Sequence, residues 1–448
     1  MRLTTRTTVL RLATPLRISR SVMTHRDAVC VAVFPDDAPP PGQPRTPGRG
    51  AAAAGTGSAG RSVPGGAPTA PPGTVEETAA DEAVGYGEVV SSRYLGVATR
   101  QAVRLLREQA APALARHAGP DTALEALRAG ELLPAPCPPS VAAAVDAALL
   151  DLLGKLTGQP VYRLLADAAF PAVRPPAART ARTIGITGVA EAVAQARELA
   201  GRGFAVLKLK AGTADPEEDL RRVAAVRDAV PSAVQLLLDP NGAWTPSRAA
   251  ALLPRFADLG VAAVEQPTAP GDPEALARLA ERSPVPLIAD EDAAGLADAR
   301  RLAGRVQGVN IKLAKCGGVQ QALRICAALA GSGTGVMLGC LTASSLSLAP
   351  AVHLADRARW ADLDGHLLLA HDPWQGIGGA DGTVRASERP GLGVRPASED
   401  ASAAPPPSGP SHPSASPAPS APESGPECGP RCGPEPATAA ARSGRSTA

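Results

Sequence analysis

Two lysines close the run Ala205-Val206-Leu207-Lys208-Leu209-Lys210, and in an extended strand residues two apart share a face. An isolated pair of this kind usually reaches water, because burying like charges side by side is costly. Here acids follow in order, each closing a short apolar run: Leu236-Leu237-Leu238-Asp239, Ala262-Ala263-Val264-Glu265 and Pro286-Leu287-Ile288-Ala289-Asp290. Val309-Asn310-Ile311-Lys312 then supplies a further lysine. Three carboxylates with a lysine on either side would suit a divalent cation. Oxygen-only donors favour Mg2+ over zinc.

From Lys210 to Asp239, Glu265, Asp290 and Lys312 the steps are 29, 26, 25 and 22 residues, each close to one strand and one helix. That period predicts a (β/α)8-type barrel, where strand carboxyl ends meet at one face and bring such residues into one pocket. Thr183 to Ile186 opens the barrel and Val189 to Gly201 reads as its first outer helix. The eighth strand is expected to end in Ala361-Asp362-Leu363-Asp364-Gly365-His366. On a strand, Asp362 and Asp364 would point over the barrel mouth together.

The ordered set Lys208-Leu209-Lys210, Asp239-Pro240-Asn241, Val264-Glu265-Gln266-Pro267, Ala289-Asp290-Glu291 and Asn310 to Gly318 resembles the enolase superfamily, in its muconate-lactonizing subgroup. Within the subgroup the chain most resembles the dipeptide epimerases, over residues 3–34 and 83–397. The fold this implies is α/β: a modified TIM barrel, (β/α)7β, at 166–366, under an α+β cap at 1–165, with 367–397 returning to complete the cap. Tyr86-Gly87-Glu88 resembles the Gly-x-Gly-Glu that ends the cap's third strand.

The resemblance implies epimerisation of a dipeptide by 1,1-proton transfer at the α-carbon, through an enediolate. Lys210 and Lys312 would be the catalytic bases on opposite faces. Asp239, Glu265 and Asp290 would hold one Mg2+ per subunit, and Lys208 would lie beside the substrate. Lysine or histidine bases working with Mg2+ are the known pattern of enolase-superfamily sites and come with the resemblance. Positive charge nearby, from Mg2+ and a second lysine, is expected to lower a lysine from its usual ~10.4 toward a useful base. Asp362 and Asp364 would receive the free α-ammonium of a dipeptide. Lys315 reads as a loop or supporting residue, Glu291 as a support to its neighbour Asp290, and specificity is placed in the loop Ser19-Arg20-Ser21. The alternatives are o-succinylbenzoate synthase, N-succinylamino acid racemase, a muconate-type cycloisomerase, or a non-catalytic barrel binding small acids.

At 448 residues and 44% hydrophobic, the chain can fill two cores. A net charge of +2 and 2% aromatics argue against nucleic acid as a partner. No run approaches the ~18 apolar residues of a membrane span. Seven scattered cysteines lack metal-ligand spacing and read as free thiols of a cytoplasmic enzyme. A homo-oligomer is expected. Residues 1–34 read as two strands joined by a loop at Thr14 to Ser21. Val141 to Thr157 reads as a long helix whose Asp146 and Asp151 are solvated or capping. Residues 36–80 and 398–448 are rich in Pro, Gly, Ala and Ser and read as a disordered insertion and tail.

Overall fold

Alternation of small polar and apolar residues carries β1 (Arg2–Ile18) into an antiparallel pair with β2 (Ser21–Phe34), whose other edge receives β3 (Gly85–Val90). The computed structural model describes residues 1–38 and 83–397, which lie within one compact unit. Only Ser19 and Arg20 form the turn, so the loop expected from Thr14 is strand instead. Pro15 is tolerated because β1 is an edge strand and its register breaks between Arg11 and Leu16, where no ladder hydrogen bond is needed. The expected insertion begins later than residue 36: Asp36 pairs with the amino terminus at 3.1 Å and Ala38 is buried. The remainder of that segment and the expected tail lie outside the described residues.

Helices α1 (Thr99–Leu105) and α2 (Ala111–Leu114), joined by a π turn, lead to α3 (Pro120–Ala129), α4 (Pro139–Thr157) and α5 (Val161–Leu164). α4 is buried on nearly all sides, so Asp146 and Asp151 are not solvated. Each finds backbone donors far away in sequence: Val319 N at 2.6 Å for Asp146, and Tyr86 N at 2.9 Å and Leu392 N at 2.7 Å for Asp151.

After the short β4 (Ala177–Arg179), the barrel alternates strand and helix. Its elements are β5 (Arg182–Ile184), α6 (Val189–Gly201), β6 (Val206–Lys210), α7 (Pro216–Ala229), β7 (Gln235–Asp239), α8 (Pro246–Asp258), β8 (Val261–Glu265) and α9 (Pro273–Arg282). They continue with β9 (Leu287–Ala289), α10 (Leu296–Leu302), β10 (Gly308–Lys312), α11 (Leu313–Cys316), α12 (Val319–Leu329), β11 (Gly335–Gly339), α13 (Ser345–Val352) and β12 (Trp360–Asp362). Proline at the first position of α7, α8 and α9 follows a residue whose side chain caps the helix: Asp215, Thr245 and Asp272. The eight parallel strands run in sequence order from β5 to β12, and Ala181 N donating to Ala361 O at 2.8 Å brings the two edges together.

Strand alternation sorts the side chains. Leu207, Leu209, Leu236, Leu238, Val309 and Ile311 pack outward in the core beneath the helices. Ala181, Leu237, Ala263, Ile288 and Met337 form a separate apolar layer, with Trp360 packed against it. Glycine at 308 and 335 makes room for that indole, since a Cβ at either would lie within 2.9 Å of it. With its lower part filled this way, the barrel leaves its polar residues to the carboxyl ends of the strands.

The eighth strand stops at Asp362, and Asp364 instead precedes a 3-10 turn, Gly365–Leu368. Residues 367–397 divide between the two parts of the unit instead of serving the cap alone. β13 (Trp374–Gln375) sets Trp374 against Tyr86 of β3, ring centroids 5.0 Å apart, whereas β14 (Thr383–Arg385) pairs with β4 and β15 (Arg395–Pro396) with β13. Among the described residues no helix is long and apolar enough to cross a membrane.

Candidate active site

Lys208 and Lys210 point inward from β6, because Leu207 and Leu209 take the outward positions. The Lys208 ammonium is buried among three carboxylates, 2.5 Å from Glu265 Oε2, 2.6 Å from Asp362 Oδ2 and 3.1 Å from Asp239 Oδ2. Lys210 lies beside Asp239 in register and reaches its Oδ2 at 2.5 Å. Lys312, at the end of β10, lies 2.7 Å from Asp290 Oδ2 and 3.8 Å from Glu265 Oε1. The structure therefore gathers Lys208, Lys210, Lys312, Asp239, Glu265, Asp290 and Asp362 into one linked set.

The other oxygen of each strand-end acid is held by the protein itself. Asn241 N donates to Asp239 Oδ1 at 2.9 Å, Asn310 Nδ2 to Glu265 Oε1 at 2.9 Å, and Lys315 Nζ to Asp290 Oδ1 at 2.7 Å. Asp290 and Asp239 are pushed up by burial, yet the ammoniums of Lys312 and Lys315, and of Lys210 and Lys208, hold them well below the usual carboxylate range. Glu265 is pushed up to about 7, by burial first, with Asp239 and Asp290 adding to it against Lys208 and Lys312. Burial works to lower Lys312, but Asp290 and Glu265 outweigh it and raise it above the ordinary lysine value; the repulsion from Lys208 is a smaller effect.

As the side chains stand, no three His, Cys, Asp or Glu among the described residues group closely enough to hold a metal ion. The donor chemistry nonetheless fits a hard divalent cation. All three acids are buried, and each turns at least one oxygen to an ammonium, so the cluster already holds positive charge through oxygen donors alone.

Asp362 and Asp364 do not act as a matched pair. Asp364 is occupied by Arg182 Nη1 at 3.2 Å and by Thr183 N at 2.7 Å, because the chain leaves the strand before reaching it. Asp362 keeps one buried oxygen, Oδ1, with no donor among the described residues. Over the mouth, the cap turn places Arg20 on Asn241 O at 2.9 Å and on Glu291 Oε1 at 2.9 Å, with Tyr94 beneath its guanidinium.

Residues 191–401 match the family described as Enolase C-terminal domain-like. The L-Ala-D/L-Glu epimerase of Bacteroides thetaiotaomicron is 31% identical over 313 residues, covering 69% of this chain and 77% of that protein. The chain belongs to the enolase superfamily. Among solved structures of the superfamily, a substrate-liganded L-Ala-D/L-Glu epimerase from Bacillus subtilis superposes with a TM-score of 0.72 at 25% identity, over 89% of this chain and 99% of that one. A dipeptide epimerase from Enterococcus faecalis, complexed with Mg and L-Leu-L-Tyr, gives 0.71 at 26%, over 88% and 98%. Like these relatives, this enolase-superfamily chain is an isomerase.

Lys315 supports the site, buried on Asp290 and on Asn310 O. Other supporting residues of this superfamily barrel were not singled out by the sequence. Gln266 accepts from Asp290 N at 3.0 Å and donates to Asp292 Oδ2 at 2.7 Å, so Asp292 braces the loops beside the site. Asp219 and Arg222, on α7, hold Gly212 N, Thr213 N and Lys210 O; nothing in their surface-like helix pattern marks them.

Proposed function

We propose that this chain is a Mg2+-dependent dipeptide epimerase. Asp239, Glu265 and Asp290 would hold the ion. When bound, Mg2+ would stabilise the negative charge that grows on the substrate carboxylate as the α-proton leaves. Lys210 and Lys312 are reached from different strands, β6 and β10, and are the bases of this reading: one takes the α-proton and the other returns it to the opposite face. Lys208, whose ammonium is committed to three acids, sets the charge of the site. The five cysteines of the described residues are all free thiols, which supports a reducing, cytoplasmic setting.

The observation that carries the dipeptide assignment is Asp362 Oδ1. A buried carboxylate oxygen without a donor, beside the lysine set, suits the free α-ammonium of a dipeptide. N-acylated substrates of the related racemases carry no such group. Asp364, already satisfied by Arg182 and Thr183, would then orient the strand end rather than touch the ammonium.

The test is a dipeptide library incubated in D2O with Mg2+ and read by mass spectrometry and NMR for α-deuterium. Turnover of free dipeptides is expected, with Asp362→Asn raising KM about 10- to 100-fold, the loss of one charge-assisted hydrogen bond. Faster turnover of N-acyl amino acids than of any free dipeptide would replace the epimerase with the racemase.

A further inference from the structure

We infer that Asn310 is a positioning residue for Glu265: its amide fixes Oε1 and thereby decides which oxygen of that carboxylate remains for the cations of the site. The inference rests on the Mg2+ site proposed above. Asn310 is fully buried on β10, facing the barrel interior, and donates through Nδ2 to Glu265 Oε1 at 2.9 Å. In the sheet β9 stands between β10 and β8, so this bond joins two strands that share no backbone ladder.

The amide is wedged. A Cβ at Gly339 on neighbouring β11 would lie 2.3 Å from Asn310 Oδ1 and 2.7 Å from Nδ2, so the absence of a side chain at 339 is what leaves the amide its place. The opposite orientation of the amide would set a carbonyl oxygen against the Glu265 carboxylate, two acceptors with no proton between them. In the favourable orientation Oδ1 finds no donor among the described residues. A buried carbonyl left unpaired costs stability, so stability alone does not account for Asn310. A neutral donor also suits the task, since it holds the carboxylate without cancelling the charge that a cation needs. Asp239 shows the same division, Oδ1 held by the neutral Asn241 N and Oδ2 facing the Lys210 ammonium, whereas both oxygens of Asp290 face ammoniums.

The experiment titrates Mg2+ by calorimetry into the full-length chain, wild type, Asn310→Ala, Gly339→Ala and the double variant, with melting followed in the absence of Mg2+. Each single variant is expected to weaken Mg2+ binding about 10- to 100-fold, the usual effect of removing a group that orients a ligand. The double variant is expected to be no weaker than the weaker single, because both changes break one hydrogen bond. If Asn310→Ala does not fold, Gly339→Ala reads the same bond from its other side. Mg2+ affinity within twofold of wild type in the single variants, or full additivity in the double, overturns the inference. A lower melting temperature with unchanged Mg2+ affinity also overturns it and leaves a structural role. A wild type that takes up no Mg2+ removes the metal site and this inference together, whereas uptake by wild type with unchanged variants removes the inference alone.

Discussion

Lys210 and Lys312 each contact one strand-end acid directly, Asp239 and Asp290, so each is fixed in place by a different part of the site. If the two serve opposite faces of one carbon, losing either stops inversion and leaves one-sided exchange. Lys312→Ala is expected to lower epimerisation by at least the ~10²- to 10⁴-fold of a general acid–base group, while Lys210 still exchanges the α-proton of one epimer with D2O. Proton NMR of each pure epimer checks this, and full epimerisation by either single alanine variant sinks the two-base scheme. At this scale much of the site was legible: lysine and carboxylate at the ends of apolar runs are residue types with few other uses there. What was not legible is how each group is neutralised. Lys208 was expected beside the substrate, and only the structure shows its ammonium surrounded by Glu265, Asp362 and Asp239.

Helix α7 shows what an element contributes beyond spacing. Asp219, with no exposed surface, takes hydrogen bonds from Gly212 N at 2.8 Å and Thr213 N at 3.0 Å, while Arg222 bonds Asp219 at 2.8 Å and the carbonyl of Lys210. Helix and strand end thus form one clasp around Lys210, the proposed base. Arg222→Ala leaves Asp219 buried without its cation, and a loss of about 3–5 kcal/mol in urea unfolding is expected. A loss under about 1 kcal/mol would mean that the clasp does not hold the strand end. The first outer helix was readable from the sequence, which placed α6 at Val189–Gly201. The end of β12 was not, because strand alternation says nothing of where a strand stops; the chain turns after Asp362 and sends Asp364 to Arg182.

Across the whole molecule, cap and barrel meet through buried acids. Glu88 at the cap's third strand accepts from Ser344 N at 3.0 Å and Ser344 Oγ at 2.6 Å, and burial pushes its carboxyl up to about 7 despite those bonds. The folded state therefore keeps this proton between the ordinary value of 4.5 and about 7 while the unfolded chain releases it. Glu88 contributes no penalty below about 4.5, and stability falls as pH rises from there through about 7, by up to about 3 kcal/mol. Thermal melts from pH 5 to 8 should show that fall, and Glu88→Gln should flatten it; an unaltered slope in the variant would rule Glu88 out as its source. The sequence by itself determined the barrel, because one strand and one helix set a period that the strand-end lysines and acids from Lys210 to Lys312 repeat. Only the tertiary structure decided their partners. Asn310 and Glu265 are 45 residues apart, Asp146 and Val319 173, and Glu88 and Ser344 256, and such pairings depend on the order of the strands around the barrel and on how the cap docks. Periodicity is a local property of the chain, whereas the choice of partner follows from closure and docking, which leave no local pattern behind.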